Sequence, residues 1–488
     1  MGGEAHDTRP AAPAPRLRRE VGHRELFALA FGAIIGVGWI TIVGIWLQQA
    51  GALGALLAFA GGGLIILCIG LCYAEAAAML PVSGGEVAYA YEMYGLGAAF
   101  MTGWFIALAY ISVASFEVIS VGWVLGSLID GFDGPVLYHA LGEPVYTDRL
   151  GAGLILMVII AGVNYRGVKL ASRFQDLMAF ALIAITLVFV AAGLWVGRLE
   201  NLEPLFAGAT GWQAAAGVLV VLATAPFWFS GFDVIPQAMG EKSAAAPLHL
   251  TGRVIAMAIL AALVFYVLVI LATAMVLPRA ELLALDLPAA GAFEAAFASP
   301  LLARLVLLAG FLGLITSWNA VFFAASRVLY ALGRAHILPA FLGRVHPTHG
   351  TPSGAILFVA VIGTLGGLLG RGAIVPIVNA SGASLAVIFG VICLGVLRLR
   401  RREPDRPRPY RAPGGAWLPV LASLFAAAMA IVALHQAWAH AKMPVPLEWA
   451  VLLGWLALGA IFWRVAGRRR RATDQTARRA LILMDMEP

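Results

Sequence analysis

The stretch Phe31-Gly32-Ala33-Ile34-Ile35-Gly36-Val37-Gly38-Trp39 sets three glycines inside an otherwise apolar run. A second stretch, Ala225-Pro226-Phe227-Trp228-Phe229-Ser230-Gly231-Phe232-Asp233, sets a proline, a glycine and an acid at similar depth in another such run. Each glycine costs a helix about 1 kcal/mol against alanine, and proline costs more. In hydrocarbon, broken backbone is tolerated only where protein or a watery cavity satisfies the freed amides and carbonyls. Matching interruptions in two halves of a chain point to the substrate site of a transporter built from inverted repeats. The two stretches therefore read as broken helices 1 and 6 of an all-α polytopic membrane protein.

Working outward, the chain has 488 residues, of which 61% are hydrophobic and 12% charged. Each run of about 20 apolar residues reads as a spanning helix. Runs bounded by glycine, proline or charge predict twelve transmembrane helices, at 26–49, 52–73, 98–127, 150–163, 176–197, 213–238, 254–277, 303–330, 353–370, 373–397, 415–437 and 447–466. Around them lie an N-terminal tail (1–25), a basic loop (398–414) and a charged C-terminal tail (467–488) with no obvious fold. Residues 278–300 are amphipathic and proline-bounded, as expected of a short external helix or lid. Cys68, Cys72 and Cys393 all fall in apolar runs and offer neither a metal-ligand spacing nor a disulfide framework. The N terminus lacks the apolar stretch of a cleavable signal peptide, so the first span is expected to target and anchor the chain.

The net charge of +7 could suggest nucleic acid, but the 33 basic residues sit at helix ends rather than on a soluble face. With a cytoplasmic N terminus, 27 of the 33 lie inside, including Arg9, Arg16, Arg18, Arg19, the cluster Arg398 to Arg411 and the tail from Arg464 to Arg479. Arg149, Arg198, Arg279, Arg304, Arg371 and Lys442 remain outside. That split satisfies the positive-inside rule with twelve spans and both ends cytoplasmic, in the cytoplasmic membrane. Arg398–Arg402 could also attract anionic lipid, although topology alone accounts for such a cluster.

Four segments carry a family resemblance. They are Gly32 through Gly38; Tyr73-Ala74-Glu75 followed by Leu80-Pro81-Val82-Ser83-Gly84-Gly85-Glu86; Ser230-Gly231-Phe232-Asp233 with Glu241; and Ser326-Arg327-Val328-Leu329-Tyr330-Ala331-Leu332 through Leu338-Pro339. In this order they resemble the amino acid–polyamine–organocation (APC) superfamily of secondary transporters. The resemblance implies a leucine-transporter-like fold with inverted five-helix repeats, here 26–197 and 213–397. Helices 11 and 12 (415–466) would be peripheral to that ten-helix core of 26–397.

The residues themselves outline a substrate site. Amides freed at Gly36–Gly38, at the positive end of the following half-helix, favour an anion such as an amino acid carboxylate. Carbonyls freed near Phe229–Gly231 could accept from an ammonium group, so one zwitterion could bridge both breaks. The site is expected to comprise Ile34, Gly36, Val37, Gly38, Phe227, Trp228, Phe229, Ser230, Gly231 and Asp233. The glycines could instead permit close helix packing. The family usually has a small or hydroxylated residue where Val37 stands, and Val37 removes a possible side-chain hydrogen bond. In the family an aromatic at the helix 6 break covers the substrate, a role open to Phe227, Trp228 or Phe229; such rings also suit a cationic head group or plain packing.

Carboxylates at membrane depth are costly and call for a specific role or partner. Asp233 could bind an amine, carry a proton or partner freed backbone amides. Glu117 could serve proton coupling, amine selectivity or a buried hydrogen bond. Many prokaryotic relatives carry a helix 5 lysine in place of sodium; here that position falls near Leu182, and helix 5 has no lysine. Sodium would use helix 1 carbonyls with Thr316 and Ser317. The coupling ion, proton or sodium, stays open beside exchange and facilitated diffusion. No cofactor is expected, and the nine histidines supply no nucleophile–base pair for an enzyme. The expected function is secondary active transport of amino acids. An amine or polyamine carrier of the same fold is the alternative, and a channel or receptor a remote one.

Overall fold

The computed structural model describes residues 21–129, 131–132, 134–243, 246–439 and 445–486. Arg9, Arg16, Arg18, Arg19 and Lys442, which carry part of the charge argument, lie outside the described residues. The first span is made of α1 (His23–Ile34), α2 (Gly38–Thr41) and α3 (Val43–Ala50). There follow α4 (Ala52–Met79), the short α5 (Gly85–Tyr94) and α6 (Leu96–Leu128), then strands β1 (Val136–Ala140) and β2 (Glu143–Tyr146). Next come α7 (Thr147–Arg166), α8 (Val168–Val196), and the interrupted α9 (Gly211–Ala223), α10 (Ala225–Trp228) and α11 (Val234–Ala238). Helices α12 (Thr251–Val276), α13 (Arg279–Ala284), α14 (Pro288–Phe297) and α15 (Pro300–Arg334) continue the chain. It closes with α16 (Ser353–Gly367), α17 (Ile374–Arg402), α18 (Trp417–Ala439), α19 (Leu447–Val465), α20 (Gly467–Ala472) and α21 (Gln475–Leu483).

The protein is a helical polytopic membrane protein. Among the described residues, eleven helices are long and apolar enough to span a bilayer, and α16 is a shorter apolar helix of 15 residues. Burial sorts them. The first span, α6, α15 and α17 are mostly enclosed, whereas α7, α8 and α19 show most of their surface. Large side chains on that outer surface, such as Val158, Leu187 and Leu453, are apolar and exposed, as lipid contact requires. The centre of the bundle is therefore built from α1, α6 and α15, with the α4–α12 pair packed alongside.

Helices run past the predicted apolar limits where buried ion pairs extend them. α4 continues to Met79 rather than stopping near 73, because Glu75 is held by Arg400, whose Nε lies 2.9 Å from Glu75 Oε1, and by Arg408 at 3.4 Å. Similarly α15 reaches Arg334, a buried arginine paired with Asp485. Two features depart from an all-α chain with a featureless tail. Between α6 and α7 an antiparallel hairpin pairs Tyr138 with Val145 and Ala140 with Glu143. Its two-residue loop, Leu141-Gly142, has φ of 51° and 84°, the doubly positive turn that matches strand twist. The tail forms α20 and α21, and the Asp474 side chain caps the latter by accepting the Ala477 amide at 2.7 Å. Residues 278–300, expected as a single short helix or lid, form two helices, α13 and α14. We call the end carrying β1–β2 and α13–α14 the hairpin end, and the opposite end, carrying α5 and α20–α21, the tail end.

Candidate functional site

α1 stops at Ile34, whose successor Ile35 has left helical geometry (φ −93°, ψ 86°), and α2 starts afresh at Gly38. The first amides of a helix have no acceptor inside it. The Gly36 amide turns back to Ile34 O at 3.2 Å, and a second irregularity at Ile42 separates α2 from α3. In the sixth span α10 ends at Trp228 and α11 starts at Val234. The turn between them needs Gly231, whose φ of 136° is a conformation that side-chain-bearing residues rarely adopt.

The two breaks touch. A Cβ placed on Gly231 would lie 2.6 Å from Ile34 N and 2.7 Å from Ala33 Cβ. One placed on Gly38 would meet the Trp228 ring at 2.2 Å. The Tyr266 hydroxyl of α12 spans both, 2.9 Å from Ile34 O and 3.1 Å from Trp228 O. Asp233 stabilises the second break locally: Oδ1 accepts the Gly231 amide at 2.7 Å and Oδ2 accepts the Tyr110 hydroxyl at 2.7 Å.

Between the breaks lies a cavity of about 20 Å³, lined by Gly36, Gly38, Phe227, Trp228, Glu117 and Ser317 and walled by Ile34, Ser230, Tyr266 and apolar side chains. That volume holds about one water, not an amino acid. The cavity's polar groups converge on the first break: a Cβ on Gly36 would be 3.0 Å from Ser317 Oγ and 3.1 Å from Glu117 Oε1. Ser317 donates to Glu117 Oε1, while Glu117 Oε2 and Ser230 Oγ are buried without a hydrogen-bond partner.

The structure brings together at this cavity Ile34, Gly36, Gly38, Phe227, Trp228, Ser230, Glu117 and Ser317. Other expected residues face elsewhere. Val37 lies beside Gly310 of α15. Phe229 packs on Phe59 and Tyr266, with ring centroids 6.1 and 5.4 Å away. Gly231 contacts α1, and Asp233 has both oxygens engaged as described. Thr316 donates to Gly313 O at 2.9 Å inside its own helix.

A larger vestibule of about 720 Å³ opens at the hairpin end, lined in part by Trp46, Thr224, Trp228, Arg371, Asn379 and Glu448. Trp228 borders both spaces and is fixed by Nε1 donating to Thr224 Oγ1 at 2.8 Å and by Trp46, 5.0 Å away edge-on. Its ring is the wall between vestibule and cavity. Toward the tail end the path is packed shut. Arg327 and Glu241 form a fully buried ion pair at 2.8 Å, and Gln237 donates to Glu86.

Sequence inspection missed Tyr110, Tyr266 and Gln175. Gln175 Nε2 donates to Ala28 O (3.4 Å) and Thr316 O (3.1 Å), and its Oε1 accepts from Asn319 (3.0 Å), which accepts in turn from Asn164 (3.0 Å). This amide chain ties α1, α7, α8 and α15 together. Gln175, two turns before Leu182, is the helix 5 group that reaches the first and eighth spans.

A many-helix membrane protein with two facing backbone breaks around one small cavity belongs to the transporter class. The amino acid permease family model matches residues 22–457, and the chain belongs to that family. It is a membrane transporter, not an enzyme. A branched-chain amino acid permease of Bacillus subtilis is 29% identical, over 94% of this chain and 95% of that protein. A methylthioribose transporter of the same organism is 26% identical, over 93% and 94%. The large neutral amino acids transporter small subunit 2 of Mus musculus is 28% identical, over 88% of this chain and 80% of its own length.

Proposed function

We propose that the chain carries neutral amino acids with apolar side chains across the cytoplasmic membrane by alternating access. The observation that carries this reading is the small cavity that both breaks line. Its backbone pole at Gly36–Gly38 suits a carboxylate, and Ile34, Val113, Phe116, Phe227 and Val321 suit an apolar side chain. Relatives named for branched-chain and large neutral amino acids favour the same substrates. A polyamine needs carboxylates at two ends of its site. Among the described residues lining this cavity, Glu117 is the single carboxylate, and Asp233 is engaged elsewhere.

On coupling, we infer that Glu117 carries a proton. An ionised carboxylate enclosed with one hydroxyl donor is costly, and protonation relieves that cost. The test is uptake and counterflow of leucine in proteoliposomes, with competing valine, phenylalanine and putrescine. An inward proton gradient should drive parent uptake. Glu117→Gln should cut that net uptake at least about tenfold, roughly 1.4 kcal/mol, while leucine counterflow persists. Gradient-insensitive uptake by the parent would remove proton coupling, and stronger competition by putrescine than valine would move the substrate to amines.

The proposed topology has twelve spans, with α16 as the ninth, inverted repeats at 26–197 and 213–397, and the tail end cytoplasmic. Reporter fusions after Arg402 and after Pro488 should both read inside. An external signal from either defeats this orientation.

A further inference from the structure

The C-terminal segment docks where the closed path ends. Residues Asp474 to Met486 form α21 and a final turn. An isolated helix of nine residues is marginal in water, so docking must supply its order. Ile482 is buried, and Arg478 folds back to donate to Thr473 O at 2.8 Å. Arg479 reaches Glu92 of α5 through Nε and Nη2, each 2.7 Å away. Burial alone would raise the Glu92 carboxyl, but hydrogen bonds from Arg479 and Arg406 outweigh it and hold the group below its ordinary range.

Asp485 is the focus of this docking. Its Oδ2 accepts the Ser83 amide at 3.0 Å, in the turn between α4 and α5. Its Oδ1 pairs with Arg334 Nη1 at 3.0 Å, and both side chains are almost fully enclosed. Arg334 Nη2 also donates to Ile482 O at 3.1 Å. The same carboxylate reaches the end of the sixth span: a Cβ on Gly240 would sit 2.8 Å from Asp485 Oδ2. One side chain thus touches three elements: the turn after α4, the run following α11 and the end of α15. Beside it lies the buried Arg327–Glu241 pair, which joins the last two of them.

We propose that Asp485 is a positioning residue of the transport cycle, clasping the ends of the sixth and eighth spans and the turn after the second so that the cytoplasmic mouth stays shut. The proposal rests on the alternating-access reading and the orientation given above. Opening that mouth separates the sixth span from the eighth, and a carboxylate bound to all three elements cannot keep every contact through that movement. The C-terminal segment is then a clasp that releases once per cycle rather than an appendage.

The experiment uses the full chain with Cys68, Cys72 and Cys393 replaced by alanine and one probe thiol introduced by Met239→Cys, a buried position next to Gly240. Inside-out vesicles are treated with a membrane-impermeant maleimide. Asp485→Ala is expected to raise the labelling rate at least about tenfold, the ratio set by roughly 1.4 kcal/mol of lost closure. It should also raise the KM for substrate offered at the opposite face. The double exchange Asp485→Arg with Arg334→Asp should return labelling toward the parent rate, which loss of fold would not do. Equal labelling in Asp485→Ala and parent overturns the clasp, as does failure of the exchanged pair to slow labelling. Absence of counterflow in the parent defeats the transport reading instead, and the labelling ratio still decides whether Asp485 closes this mouth.

Discussion

Gly38→Leu is expected to abolish uptake while leaving the protein folded. The position starts α2, so leucine is tolerated by backbone geometry and favoured over glycine in helix propensity. Space is the obstacle. Even a Cβ would stand 2.2 Å from the Trp228 ring, and the remaining side-chain carbons must enter the cavity beside Gly36. Trp228 can swing into the vestibule to relieve the contact, which preserves folding but fills the place proposed for the carboxylate. Loss of at least about a hundredfold in leucine uptake, roughly 2.8 kcal/mol, is expected in proteoliposomes, with the melting temperature little changed. Uptake near the parent level would mean that the substrate lies elsewhere.

The second large effect falls on Asp233. Asp233→Asn keeps its shape, and its amide can still accept from Gly231 N–H while donating to the Tyr110 oxygen. Only the charge is removed. Net uptake should fall at least about tenfold, roughly 1.4 kcal/mol, if that charge sets the coupling or the field at the second break. Asp233→Ala strands both buried donors, which costs about 1–3 kcal/mol each, and should destabilise the fold as well. Retained exchange with lost net uptake in Asp233→Asn assigns the charge to coupling, and lost binding assigns it to the substrate amine. Parent-level uptake and binding would leave the carboxylate a structural partner of Gly231.

Both breaks were legible because glycine and proline weaken a spanning helix, and a paired weakness at matching depth marks backbone that is meant to open. Side-chain direction around them was not legible. Val37 lies in the gap between α1 and α2 and Phe229 in the gap after α10, where helical phase no longer fixes direction, and there Val37 turns to Gly310 and Phe229 to Phe59. Tyr110 and Tyr266 were invisible for another reason. They lie in helices that are apolar on every side, where periodicity marks no inward face. Gln175 stands just before the predicted fifth span, and its importance comes from Ala28 and Thr316, which are distant in sequence. The docked tail was hidden by its arginines, of which Arg478 serves as a buried hydrogen-bond donor and Arg479 pairs with Glu92. An aspartate before Gln-Thr-Ala and the apolar Leu481-Ile482-Leu483 were the available signals for that helix.

Tyr266 gives the two breaks a common fate. A hydroxyl has one proton, here shared between Ile34 O and Trp228 O, and its ring is anchored in the continuous helix α12. Either carbonyl that moves alone leaves the shared donor, at a cost of about 1 kcal/mol for a typical hydrogen bond. On the other side the two breaks lie so close that a Cβ on Gly231 would stand 2.6 Å from the Ile34 amide nitrogen. Movement of one unwound segment without the other thus carries the cost of a lost bond, which favours their moving together.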